Sequence, residues 1–166
     1  ADIHLVDWAF RREIVFEGYD GQAPLTNFPA LVLFEDMVGG FDYGQVALPG
    51  GADLRFTDAG KQVLLNYEVE RWNPAGRSAV WVQLPLLETS RTAVWAYWGK
   101  PSASAFPSTT NGAAFSEGYQ AVYHFAETNG AIAKDSSTRA AHGTLRNMND
   151  VDHVTGIVAG ALDFDG

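Results

Sequence analysis

The sequence predicts an all-β protein, an antiparallel β-sandwich of the jelly-roll kind. Aromatic and β-branched residues recur in short runs separated by Gly, Pro, Asn and Asp. Within several runs the apolar side chains alternate with a period of two, the signature of a strand with one buried face. No stretch shows a convincing helical period. The one candidate, 116–126, contains Gly118 and too many aromatic residues for a surface helix. Six to nine strands are expected, spaced about 8–12 residues apart, as in sandwiches.

The elements follow in order. Residues 8–17 form the first expected strand, with Phe10, Arg12, Ile14 and Phe16 on one face. Gly18-Tyr19-Asp20-Gly21 is a turn. Residues 28–35 are apolar on both faces through Leu31-Val32-Leu33-Phe34, as a strand covered on both sides would be. Pro29 is expected at its beginning because it has no ladder donor. The Gly- and Asp-rich residues 36–51 predict a long loop. A short strand at 54–57 leads into the Asp58-Ala59-Gly60-Lys61 turn. Residues 63–71 alternate cleanly, with Leu64, Asn66, Glu68 and Glu70 on a face expected to be wet. After Asn73-Pro74-Ala75-Gly76, strands are expected at 79–84 and 92–98, joined by 85–91.

From 100 to 112 Ser, Thr, Pro and Gly dominate, which marks a connection. The expected organisation is a sandwich over 1–105, a linker over 106–118 and a second section over 119–166. In that section 119–125 is expected as a strand, 143–145 as a weak one, and Ala161 begins another. The sequence stops inside that pattern at Gly166, so further strands are expected beyond it or from elsewhere. Its unpaired edges are expected to pair with another copy or to pack onto the first sandwich. The opening Ala1-Asp2, without Met, suits a mature end after signal removal or an engineered boundary.

The 166 residues include 20 acidic and 11 basic side chains, a net charge of −9. The only adjacent basic pair is Arg11-Arg12, so no positive patch suits nucleic acid or an anionic membrane. No apolar run reaches a membrane-spanning length, and direct insertion is not expected. The absence of Cys excludes disulfides, Cys-ligated zinc and a Cys nucleophile.

Glu68 and Glu70 stand two apart on one strand face, a spacing that suits paired carboxylates in glycoside hydrolysis and equally suits a polar strand face. The histidines His4, His124, His142 and His153 show no zinc spacing. His124, between Tyr123 and Phe125, reads as a hydrogen-bonded core residue. Asp135-Ser136-Ser137, 147–152 and 163–165 offer oxygens to Ca2+, though no EF-hand pattern is present. Trp81, Trp95 and Trp98 read as core. Trp72, following the Glu68/Glu70 face and preceding Asn73-Pro74, is the expected exposed stacking platform for a sugar.

Four blocks carry a resemblance: Gly51-Ala52-Asp53-Leu54-Arg55-Phe56-Thr57-Asp58, Tyr67-Glu68-Val69-Glu70-Arg71-Trp72, Ala79-Val80-Trp81-Val82 and Ala96-Tyr97-Trp98-Gly99-Lys100. In order and spacing they resemble domain-of-unknown-function family 2341 over about residues 8–105. Trp98 and Lys100 depart from the Tyr and Asn usual in that pattern. The blocks Ala121-Val122-Tyr123-His124-Phe125, Asp135-Ser136-Ser137, His142-Gly143-Thr144 and 160–166 resemble the opening strands of a concanavalin A-like, laminin-G-type jelly roll. This pairing implies a secreted or cell-envelope bacterial or archaeal multidomain protein, sometimes attached to a TolQ/ExbB-type proton channel.

Together these readings favour a non-catalytic module that binds a glycan or cell-surface polymer through Trp72, Glu68, Glu70 and Asn73. The alternatives are a structural or assembly module of the envelope and a glycoside hydrolase using Glu68 and Glu70.

Overall fold

A computed structural model describes residues 5–164 except 22, 89 and 117. His4, the chain start and the Asp165-Gly166 end lie outside the described residues. Six strands build two facing antiparallel sheets: β1 (Phe10–Glu17), β2 (Leu25–Glu35), β3 (Arg55–Asp58), β4 (Tyr67–Arg71), β5 (Arg77–Leu87) and β6 (Arg91–Trp98). The first sheet runs β1-β6-β3 and the second β2-β5-β4. The all-β sandwich expected from the alternation is therefore the fold.

The core lies between the sheets. Val94, Ala96, Trp98 and Phe56 face Ala30, Val32, Phe34, Val80, Val82, Leu84 and Tyr67, all of them buried. Their period-two spacing sets the register, since a one-residue slip would turn every one of them outward. Helical structure among the described residues is limited to short 3₁₀ turns, three of which fill the 38–51 loop.

Several boundaries move for identifiable reasons. β5 runs through Pro85 to Leu87, where the sequence suggested a connection. Pro85 stands opposite Asn27, which has φ 52° and forms no register pair, so no ladder bond there needs the missing N–H. β2 starts at Leu25, so Pro29 lies within it; this is tolerated because β2 is an edge strand. β4 begins only at Tyr67, and 63–66 keep a single bridge, Leu64 to Thr57. Trp95 is not core: it lies on the outer face of the first sheet, with Arg11 5.6 Å and Lys61 Nζ 3.9 Å from its ring centroid. Trp98 is buried and donates from Nε1 to Gln45 Oε1 at 3.1 Å.

Residues 119–125 are not a strand; Tyr123 makes one bridge, to Asp135. The second section contains two small ladders. One pairs β7 (Ile132–Ala133) with β8 (Gly143–Thr144), the other β9 (His153–Thr155) with β10 (Gly160–Leu162). The ladders are too short to carry a core, and Phe115, Ser116, His124 and Ser136 instead lie against the outer face of the second sheet. Phe115 meets Trp81 edge-on at 6.0 Å, and Gln83 Nε2 donates to Ser116 Oγ at 2.7 Å. Packing onto the first sandwich was one of the two outcomes expected for this section.

Candidate functional site

The motif 51–58 builds a structural knot. Asp53 is fully buried, and its carboxylate accepts N–H groups of Ala47 and Leu48 at 3.1 Å, Gly99 at 2.7 Å and Lys100 at 3.2 Å. Arg55, also buried, donates to the carbonyls of Ala52, Leu54 and Ser104 and lies over the rings of Trp8 and Phe106. Tyr67 donates its hydroxyl to Leu54 O at 2.6 Å, and burial pushes its pKa up to about 12 against the opposing pull of Arg55. These groups lock loops together across the first sheet; each charge is satisfied internally.

The residues with binding chemistry gather on the opposite flank, along β4. The register of β4 against β5 shifts between Val69 and Arg71, so Glu70 is an extra residue in a β-bulge. Before the bulge, Tyr67 and Val69 face the core while Glu68 faces outward. After it, Arg71 pairs with Ala79, and the parity of the strand is reversed. Trp72 consequently turns inward. Its ring meets Tyr43 edge-on at 5.3 Å and Phe41 at 6.4 Å and packs on the core. The expected exposed stacking platform is thus half-buried, because simple alternation cannot anticipate a bulge. Asn73 sits in the β4–β5 turn, where its N–H donates to Ser78 Oγ at 2.8 Å.

Glu68 and Glu70 do come together, and the face expected to be wet is covered. Their side chains are only 12% and 5% exposed. His124, from the covering segment, lies between them: Nε2 is 3.3 Å from Glu68 Oε1, and Nδ1 is 3.3 Å from Glu70 Oε2. The Nε2 contact is an ion-pair approach without hydrogen-bond alignment. Ser136 Oγ donates to Glu68 Oε1 at 2.7 Å, and Trp81 Nε1 donates to Glu70 Oε2. The imidazole stacks on Trp81, with centroids 6.1 Å and planes 21° apart. Burial lowers the His124 pKa, but the Glu68 contact and the charges of Glu70, Glu68 and Glu127 outweigh it and raise the value above 6.5.

Asp135 organises the covering segment. Its Oδ1 accepts from the N–H groups of Val122 and Ser137, and its Oδ2 from Ser137 Oγ and Ala141 N, all within 2.7–2.8 Å. Burial raises its pKa, and these donors override that, holding it well below the usual carboxylate range. Among the described residues no group of three or more His, Asp or Glu is placed to hold a metal ion.

Three clefts follow this seam and share walls. The middle one, about 310 Å³, is walled by Glu68, Glu70, His124, Glu127, Lys134 and Ser136. It adjoins one of about 550 Å³ along 109–112 and 134–138, and one of about 360 Å³ along 126–128, 153–155 and 159–160. Hydroxyl, carboxyl, amide and imidazole groups share the walls with apolar surface. Sequence reasoning found Glu68 and Glu70 but not the partners that complete the seam. The Asp135-Ser136-Ser137 block was visible, though as a cation loop.

The family model described as Domain of unknown function (DUF2341) matches residues 50–138. That range holds the Asp53 knot, both glutamates, His124 and Ser136, and so the contact between β4 and its cover. Searches of curated proteins and of solved structures return no match for the chain.

Proposed function

This chain belongs to the DUF2341 family, a domain of unknown function, and from that premise we propose that it is a non-catalytic recognition module of an exported multidomain protein. Its ligand is an extended glycan or surface polymer lying along the seam between β4 and the covering segment. The observation that carries this reading is the continuity of the three clefts: the middle one shares Glu70 and Glu127 with one neighbour and Glu68, Lys134 and Ser136 with the other. A shallow groove of that length, with polar groups set among apolar surface, suits a polyhydroxylated chain, which needs directed hydrogen bonds as well as apolar contact.

The hydrolase alternative has less support. Hydrolysis needs one carboxyl free to protonate the leaving oxygen and a second free to reach the sugar or a water. Here both carboxylates are committed to His124, and further to Ser136 and Trp81. The spacer or assembly alternative draws on the same commitments, together with the inward packing of Trp72 and Trp98.

Affinity electrophoresis against a panel of neutral and acidic polysaccharides separates these readings. At least one polymer is expected to retard the protein. Thr138→Trp, at an exposed position on the wall of the largest cleft, is expected to weaken retardation at least tenfold. Met37→Ser, at an exposed position remote from the clefts, is expected to leave it unchanged. Retardation that survives Thr138→Trp contradicts the groove, and a panel with no binder supports the spacer.

A further inference from the structure

The contact between His124 and the two glutamates is built for one protonation state. Each ring nitrogen stands 3.3 Å from a carboxylate oxygen, Nε2 from Glu68 and Nδ1 from Glu70. A neutral imidazole carries one N–H and one lone pair, whereas the imidazolium carries two N–H groups. Whichever tautomer a neutral ring adopts, one of the two carboxylates faces a nitrogen that carries no proton. The His124 side chain is 13% exposed and those of Glu68 and Glu70 are 12% and 5% exposed, so solvent screens the contact only in part.

We propose that His124 is a proton-operated latch that holds the covering segment, 113–142, on the outer face of the β2-β5-β4 sheet. Charged, it clasps both glutamates; uncharged, it leaves two carboxylates facing one another and the segment lifts. The inference rests on this geometry alone and holds whether or not the seam binds a polymer. The charged groups around the ring are Glu68 and Glu70 from β4, with Glu127 and Lys134 from the segment itself. The other groups packed against it, Trp81 of β5 and Phe115, carry no charge. Among the described residues the other ties include the Ser136–Glu68 and Ser116–Gln83 hydrogen bonds, the Phe115–Trp81 contact and the buried Ala114 and Phe115. Opening would expose Trp81 beside Glu68, Glu70 and Gln83, an aromatic ring flanked by polar groups.

The test is native-state hydrogen exchange of the whole chain at pH 5.5 and 8.5, corrected for intrinsic rates. Peptides covering 67–71, 77–87 and 119–137 are expected to lose protection at least tenfold at the higher pH. Peptides from β1 and β6 are expected to change little. His124→Gln separates the latch from the other histidines: it is expected to show low protection at both pH values. Equal protection at both pH values in the native protein overturns the proposal, as does a pH response that survives in His124→Gln. Should that variant not fold, the native His124 ring resonances decide by NMR. A midpoint above 6.5, coincident with the loss of protection, supports the latch, and any other midpoint overturns it.

Discussion

Four peptide N–H groups from two separate loops converge on the Asp53 carboxylate, and no water reaches it. A buried charge is tolerated only when its lone pairs are all engaged. Asp53→Asn keeps the shape but removes the charge and turns an N–H₂ group toward backbone donors. It is expected to destabilise the protein by about 3 kcal/mol, read from denaturant unfolding followed by Trp fluorescence. A loss below about 0.5 kcal/mol would show that the knot is not where the charge matters. The same reasoning explains why the motif around Asp53 is recognisable in sequence without being a reactive site. Asp53, Arg55 and Tyr67 spend their polar atoms on the chain itself.

At the scale of elements, Gly112 joins the sandwich to its cover. It has φ 76°, and a Cβ there would come within 2.5 Å of the Ser137 carbonyl carbon. Gly112→Ala is therefore expected to cost roughly 1–3 kcal/mol through strain and displacement of the 135–138 turn. Exchange protection should fall across 119–142 while 28–35 and 91–98 keep theirs; a uniform fall would show that cover and sandwich unfold as one. Much at this scale was legible beforehand. Alternation located β1 and β4, because a half-buried strand writes its period directly into the sequence, and apolar runs bounded by turn residues located the other four. The bulge at Glu70 was not legible, since nothing in Tyr67-Glu68-Val69-Glu70-Arg71-Trp72 marks the inserted residue, and Trp72 was assigned to the wrong face for that reason. The covering segment was misjudged as a strand at 119–125. Val122 and His124 fit a period of two, but the chain there follows the Asp135 carboxylate and a single bridge, not a ladder. His124 could not be paired with Glu68 and Glu70 in advance, because only the tertiary fold brings such distant positions together.

For the whole molecule, two titrating groups in the cover bound its stability from opposite sides. Asp135 has a folded pKa below its unfolded value of roughly 3.9, so its contribution is present above that value and is lost as the pH falls. His124 has a folded pKa above its unfolded value of roughly 6.5, so its contribution is present below 6.5 and is lost as the pH rises through the folded value. Denaturant midpoints are accordingly expected to be highest near pH 5–6 and lower at both pH 2.5 and pH 9; a midpoint still rising at pH 9 would contradict the His124 assignment. The net charge of −9 adds self-repulsion on the alkaline side. His124→Gln separates that general effect from the local one, since it removes the imidazole and leaves every carboxylate in place.

Groove, latch and pH dependence all require the segment that carries His124 to lie on the outer face of the second sheet. The most direct measurement is a set of nuclear Overhauser contacts at pH 5.5 between the His124 ring protons and the indole protons of Trp81. The stacked arrangement predicts several strong cross-peaks and a slowly exchanging Trp81 Nε1–H held by Glu70. Sharp, solvent-like His124 resonances with no contact to Trp81 would contradict the account at its base.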